Sequence, residues 1–195
     1  MGQEKDGGGR RDFFKEVLRR YVVPAADFVE EGLEAVKPSP KPLLRPPGAL
    51  PEATFVETCQ RCGVCGDVCP ANAIVYLNQE EERLNGTPYI RPAQQPCVVC
   101  DDLSCMAECP SGALRNIPVD QIRIGLAAVS EGTCVRSKGE DCTACVDFCP
   151  LGSEAIRLDD QKKVAVLNGC IGCGVCEYVC PTLPKAIVIE RRGDA

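Results

Sequence analysis

The sequence predicts an α+β fold of two small repeated modules, with short antiparallel strands and short helices, preceded by an N-terminal helical extension. Three observations predict it. The 195-residue chain carries 16 Cys, and they fall into four runs of four. Brief β-branched segments follow these runs, at residues 74–77, 156–158, 164–167 and 186–189. There is no Trp, and aromatic residues make up only 5% of the chain. With so few large apolar side chains, cross-links through the cysteines are the natural source of cohesion, and folding is then coupled to whatever they bind.

The last run, Cys170, Cys173, Cys176, Cys180 and Pro181, reads C-x2-C-x2-C-x3-C-P. That is the ligand spacing of a bacterial-type [4Fe–4S] ferredoxin. Three cysteines at intervals of three reach three irons of one cubane from a tight loop. The fourth is expected to begin a helix and point to a neighbouring cluster. Cys59, Cys62, Cys65, Cys69 and Pro70 repeat the spacing. The second run, Cys97, Cys100, Cys105 and Cys109, is two residues longer between its second and third cysteines. The third, Cys134, Cys142, Cys145 and Cys149, has a charged insertion over Arg136, Ser137, Lys138, Gly139, Glu140 and Asp141. Four cysteines per run favour four [4Fe–4S] clusters, in two bacterial-type 2[4Fe–4S] modules, with both irregular stretches as surface insertions. Gly63, Gly66, Gly172 and Gly174 fall where a loop must wrap a cube without side-chain clash, and their N–H groups are candidate donors to sulfur. The residues after each Cys-Pro, such as Ala73 and Ile74 or Ala113 and Leu114, are suited to covering the sulfur.

Other uses of cysteine fit less well. Secreted disulfide frameworks are shorter and do not repeat this spacing. Zinc ribbons use two C-x2-C pairs, whereas each run here already holds four thiols. The chain has no His, which excludes His-ligated haem, Rieske centres and His-containing zinc sites.

Charge separates the chain into two parts. Residues 1–51 carry nine Lys/Arg against eight Asp/Glu, or +1; residues 52–195 carry thirteen against twenty, or −7. Bound clusters with four thiolates each add negative charge. This balance argues against nucleic-acid binding. It leaves an acidic surface that is either simply solvated or a docking face for a cationic redox partner.

Residues 1–36 are expected to form an amphipathic helical extension. Phe14, Val17, Leu18, Tyr21 and Val22 fall on one helical face, and Pro24 interrupts it. The stretch Gly9, Arg10, Arg11, Asp12, Phe13, Phe14, Lys15 is a degenerate twin-arginine motif. It continues into Glu16, Val17, Leu18, Arg19 and Arg20 rather than into an apolar segment. The expected location is therefore the cytoplasm, at the membrane only through a partner; the alternative is the periplasm, by twin-arginine export. Residues 37–51 hold six prolines and read as a linker running in extended form over the surface. Residues 52–195 are the polyferredoxin domain. The longest apolar stretches fall far short of the roughly 20 residues a transmembrane helix needs.

From about residue 10 to residue 189 the chain resembles the NapG/MauM-type ferredoxins, four-cluster proteins related to the iron–sulfur subunits of molybdenum oxidoreductases. The likeness lies in the order of the four runs and their irregular middle motifs. It extends to Cys97-Val-Val-Cys100-Asp-Asp-Leu-Ser-Cys105-Met-Ala-Glu-Cys109-Pro, Ile122-Arg-Ile-Gly-Leu-Ala-Ala-Val129 and Gly169-Cys-Ile-Gly-Cys-Gly-Val-Cys176. The resemblance implies electron relay beside a polytopic quinol-oxidising membrane partner. Most members of the family carry a working twin-arginine signal, a feature from which residues 12–20 depart.

A ferredoxin module pairs two runs and exchanges their fourth ligands. Sequential pairing joins runs one with two and three with four. Nested pairing, which the molybdoenzyme-type resemblance implies, joins one with four and two with three, and the regular outer runs favour it. Nesting would group Cys59, Cys62 and Cys65 with Cys180; Cys170, Cys173 and Cys176 with Cys69; Cys97, Cys100 and Cys105 with Cys149; and Cys134, Cys142 and Cys145 with Cys109.

The function expected is electron transfer through four clusters, as a subunit beside a quinol-oxidising membrane partner or redox enzyme. The alternatives are an iron–sulfur assembly or maturation accessory for a molybdoenzyme and an oxygen-labile redox sensor. No catalytic activity of its own is expected: the chain offers no His, no dinucleotide-binding loop and no cysteine outside the four runs.

Overall fold

A computed structural model describes residues 43–78 and 83–191. The expected N-terminal helices lie outside these residues. The described chain belongs to one compact unit, Pro42–Ala195.

One arrangement occurs twice along the chain. In the first half, β1 (Ile74–Tyr76) and β2 (Pro88–Ile90) form an antiparallel hairpin, with Ile74 opposite Ile90 and Tyr76 opposite Pro88. A single bridge from Ala49 to Leu114 closes this half. In the second half, β4 (Ile156–Leu158) and β5 (Val164–Val166) form the matching hairpin. Here the closure is a full antiparallel pair, β3 (Leu126–Val129) against β6 (Ile187–Glu190). These are the short strands and α+β modules expected. Two strands were not foreseen. β2 opens on a proline, and β3 is half alanine, a weak strand former; pairing with β1 and β6 makes them strands.

The helices are mostly single turns. Among the described residues, α1 (Glu52–Thr58) is the longest and buries Phe55 and Val56. α2 (Val64–Asp67), α3 (Ser104–Ala107), α4 (Ala144–Asp147) and α5 (Val175–Val179) each contain the third cysteine of a run, Cys65, Cys105, Cys145 and Cys176. The fourth cysteine does not begin a helix, as expected from the motif; it follows one. The cause is the proline after it, which disfavours helical backbone in the preceding residue. Cys180 accordingly ends α5 in an extended conformation.

The Pro-rich stretch departs from expectation over its described part. Leu44, Arg45, Pro46, Pro47 and Gly48 are buried, with the Pro46 and Pro47 side chains fully enclosed. The domain body therefore begins before Glu52. Proline has no N–H to satisfy, so this segment can enter the core without losing a hydrogen bond at those positions. Arg45 is held by charge and geometry. Its guanidinium donates to both carboxylate oxygens of Glu52, to Thr87 Oγ1 at 3.0 Å and to the Pro88 carbonyl at 2.8 Å. It also lies 4.8 Å from the Phe55 ring centre. Arg191, just past β6, reaches the same Glu52 at 3.1 Å, tying the two halves together.

Candidate metal centres

The four runs deliver their thiols to four cavities. Cys59, Cys62 and Cys65 line the first together with Cys109. Cys97, Cys100 and Cys105 line the second with Cys69. Cys134, Cys142 and Cys145 line the third with Cys180. Cys170, Cys173 and Cys176 line the fourth with Cys149. All sixteen predicted site residues are thus brought together in sets of four, and none is in a disulfide.

This grouping is sequential and overturns the nested expectation. Cys180 belongs with the third run rather than the first, and Cys109 with the first rather than the third. Cys69 and Cys149 likewise serve the second and fourth runs. The reason is topological. The β3–β6 pair closes residues 126–190 on themselves, and the Ala49–Leu114 bridge closes the first half. Each fourth cysteine is therefore carried only as far as its neighbouring run. The irregular spacings change loop length, not partner. In the third run the insertion forms one short turn over Arg136–Lys138, pinned by Arg136 to the Lys162 carbonyl (2.8 Å) and Asp141 (2.7 Å). Arg136 itself is only 10% exposed, so this insertion is anchored to the β4–β5 turn.

The donor sets fit a multi-iron group. Burial, followed by the charge of neighbouring thiols, pushes Cys105 up to about 12 and Cys145 up to about 11. Cys65 is raised to about 11 and Cys173 to about 12, with burial again the leading cause. Buried thiols crowded in this way repel one another on ionising, and cationic metal would hold them as thiolates. Several sulfurs also receive donors. The N–H of Ala73 lies 3.4 Å from Cys69 Sγ, and that of Leu114 lies 3.4 Å from Cys109 Sγ. The hydroxyls of Ser111 and Thr182 lie 3.6 and 3.2 Å from Cys109 and Cys180 Sγ. Burial opposes ionisation at Cys109 and Cys180, but these donors outweigh it and hold both thiols below their usual range.

Those donors follow the fourth cysteines, whereas the sequence pointed to glycines in the loops. The Gly66 N–H donates instead to the Tyr76 hydroxyl at 3.1 Å, and that hydroxyl donates to the Gly63 carbonyl at 2.6 Å. A side chain at Gly66 would run into the Tyr76 hydroxyl. Tyr76 was legible only as a strand residue. Ser111 and Thr182 did carry a signal, a hydroxyl two residues after the ligand in Cys-Pro-Ser and Cys-Pro-Thr.

Comparison with known proteins gives the sites a lineage. Residues 58–113 and residues 129–181 each match a family described as a 4Fe-4S dicluster domain. Each match spans two consecutive runs, in keeping with the sequential grouping. Over 160 residues the chain is 38% identical to the methylamine utilization ferredoxin-type protein MauM of Paracoccus denitrificans, covering 76% of this chain and 71% of that one. Over 200 residues it is 35% identical to the ferredoxin-type protein NapG of Escherichia coli, covering 95% and 87%. The chain belongs to the NapG/MauM ferredoxin-type family. As a member, it is an iron–sulfur electron-transport protein with four [4Fe–4S] clusters, two per dicluster domain. Bound clusters supply reversible one-electron chemistry. The chain's own part is to space them, exclude water with residues such as Phe55, Leu114 and Ile156, and set the donors around each sulfur. Among the described residues, no helix is long and apolar enough to cross a membrane.

Proposed function

We propose that this NapG/MauM-type protein relays electrons between a quinol-oxidising membrane partner and a downstream redox enzyme, without catalysing a reaction of its own. The observation that carries this reading is the complete use of the cysteines. All sixteen fall into four ligand sets, and the chain has no His. Nothing of that kind is left over for nucleophilic or acid–base chemistry. The likeness to ferredoxin-type proteins supports a carrier over an assembly accessory or a sensor.

The test is reduction of the iron-loaded chain by quinol in membranes from its source, followed in the visible band under argon. Quinol-dependent bleaching that stops when the membranes are heat-treated is expected. A chain that dithionite reduces but quinol-fed membranes do not would overturn the membrane partner. A cytoplasmic location belongs to the same proposal and rests on Lys15, Glu16, Arg19 and Arg20, which follow Arg10 and Arg11. A reporter fused after Pro51 should stay in the cytoplasm. Reporter activity in the periplasm, lost on Arg11→Lys, would overturn that location.

A further inference from the structure

We infer that the four metal sites form a single row in the order first, second, fourth, third, and that electrons cross between the halves where Cys97 meets Cys173. This rests on the reading of the chain as an electron carrier and adds the order of its sites.

The junction is specific. The N–H of Cys97, a ligand residue of the second site, donates to the carbonyl of Cys173, a ligand residue of the fourth, at 3.0 Å. Gly174 lies so close to Pro92, from the first half, that any side chain there would collide with the proline ring. The N–H of Ile124 donates to the Ile171 carbonyl at 2.9 Å, and Ile171 is buried in the core of the first half. The fourth ligand loop therefore packs on the module that holds the second site.

Within each half the remaining neighbours are equally defined. Cys69, of the first run, lines the second site, and Cys109, of the second run, lines the first. Cys149, of the third run, lines the fourth site, and Cys180, of the fourth run, lines the third. Burial agrees at the fourth and first sites. Cys170, Cys173 and Cys176 of the fourth site are all buried, whereas Cys62 of the first is exposed. An interior position suits a site that passes electrons on, and an exposed ligand suits one that a partner approaches. The first and third sites are thus the two ends. Each transfer along the row takes one electron from one site and adds it to the next, with no bond made or broken. A one-electron donor protein supplies it at one end, and a one-electron acceptor protein removes it at the other.

The order is read from the iron-loaded full chain, reduced anaerobically with dithionite, by EPR. Removing the fourth site with Cys176→Ala should leave the third site magnetically isolated, with a sharp uncoupled signal, while the first and second remain coupled. Removing the second with Cys100→Ala should isolate the first instead. A third site still coupled to the first half in Cys176→Ala would overturn the order. Because a lost ligand can unsettle the fold, iron positions in the unmodified chain from anomalous X-ray diffraction give a second reading. The shortest separation between halves must join the second and fourth sites; any other closest pair overturns the order. Four reducible sites arranged differently would leave the carrier reading standing, whereas a chain with no reducible iron would overturn both.

Discussion

Tyr76 grips the first ligand loop from both sides, accepting from the Gly66 N–H and donating to the Gly63 carbonyl. Burial leads in pushing its phenol up to about 12, so it remains a proton donor at neutral pH. Tyr76→Phe keeps the ring and removes both bonds, which together are worth about 1–3 kcal/mol. The variant should lose iron from the first site faster than from the other three under chelator challenge. Equal loss from all four, at the unmodified rate, would contradict this role. Arg45 makes a second test at this scale. Its side chain is 5% exposed and pairs with Glu52. Arg45→Leu leaves Glu52 with Arg191 alone and should cost about 3 kcal/mol, as expected for breaking a buried pair. Burial resists ionisation of Glu52, but Arg45 and then Arg191 outweigh it and hold the carboxyl below its ordinary range. A lowered carboxylate contributes stability above its unfolded pKa and loses it as pH falls through the folded value. The urea-midpoint difference between the unmodified chain and Glu52→Gln should therefore be full at pH 7 and shrink on acidification; a difference that grows would contradict the pairing.

At the level of elements, the exchange of fourth cysteines makes the sharpest prediction. Cys109 ends the second run but completes the first site. Cys109→Ala and Cys62→Ala should therefore delete the same spectroscopic species, and Cys180→Ala should match Cys142→Ala. A match between Cys180→Ala and Cys62→Ala would restore nesting. The spacing of the cysteines marked the sixteen candidate ligands that line the four cavities, because a loop around a cube imposes local intervals. It could not show which run each fourth cysteine completes, since β3 meeting β6 across some sixty residues decides that. Strands β1, β4 and β5 were legible for a similar local reason, their β-branched residues. β3 was not, because Leu126, Ala127, Ala128 and Val129 become a strand only through their partner. Composition misled at Pro46 and Pro47. Prolines suggested an exposed linker, yet their missing N–H groups also permit full burial.

For the whole molecule, cohesion should come from the metal sites. Among the described residues there are two small apolar cores, one around Phe55, Ile122 and Ile171 and the other around Ile156 and Ile187, and site cysteines are members of both. Removing metal exposes crowded thiols in each core at once. Chelation after oxidation should therefore abolish the cooperative thermal transition of the domain, as followed by circular dichroism. A sharp transition in the iron-free chain would show that the apolar contacts suffice.

The central claim, that four sets of four thiols each hold a reducible cubane, is tested most directly by redox-poised EPR with spin counting on anaerobic, iron-quantified protein. The account predicts about 16 Fe per chain and signals from four sites that are spin-coupled within each half. Zinc in place of iron, in a chain that still unfolds cooperatively, would contradict it.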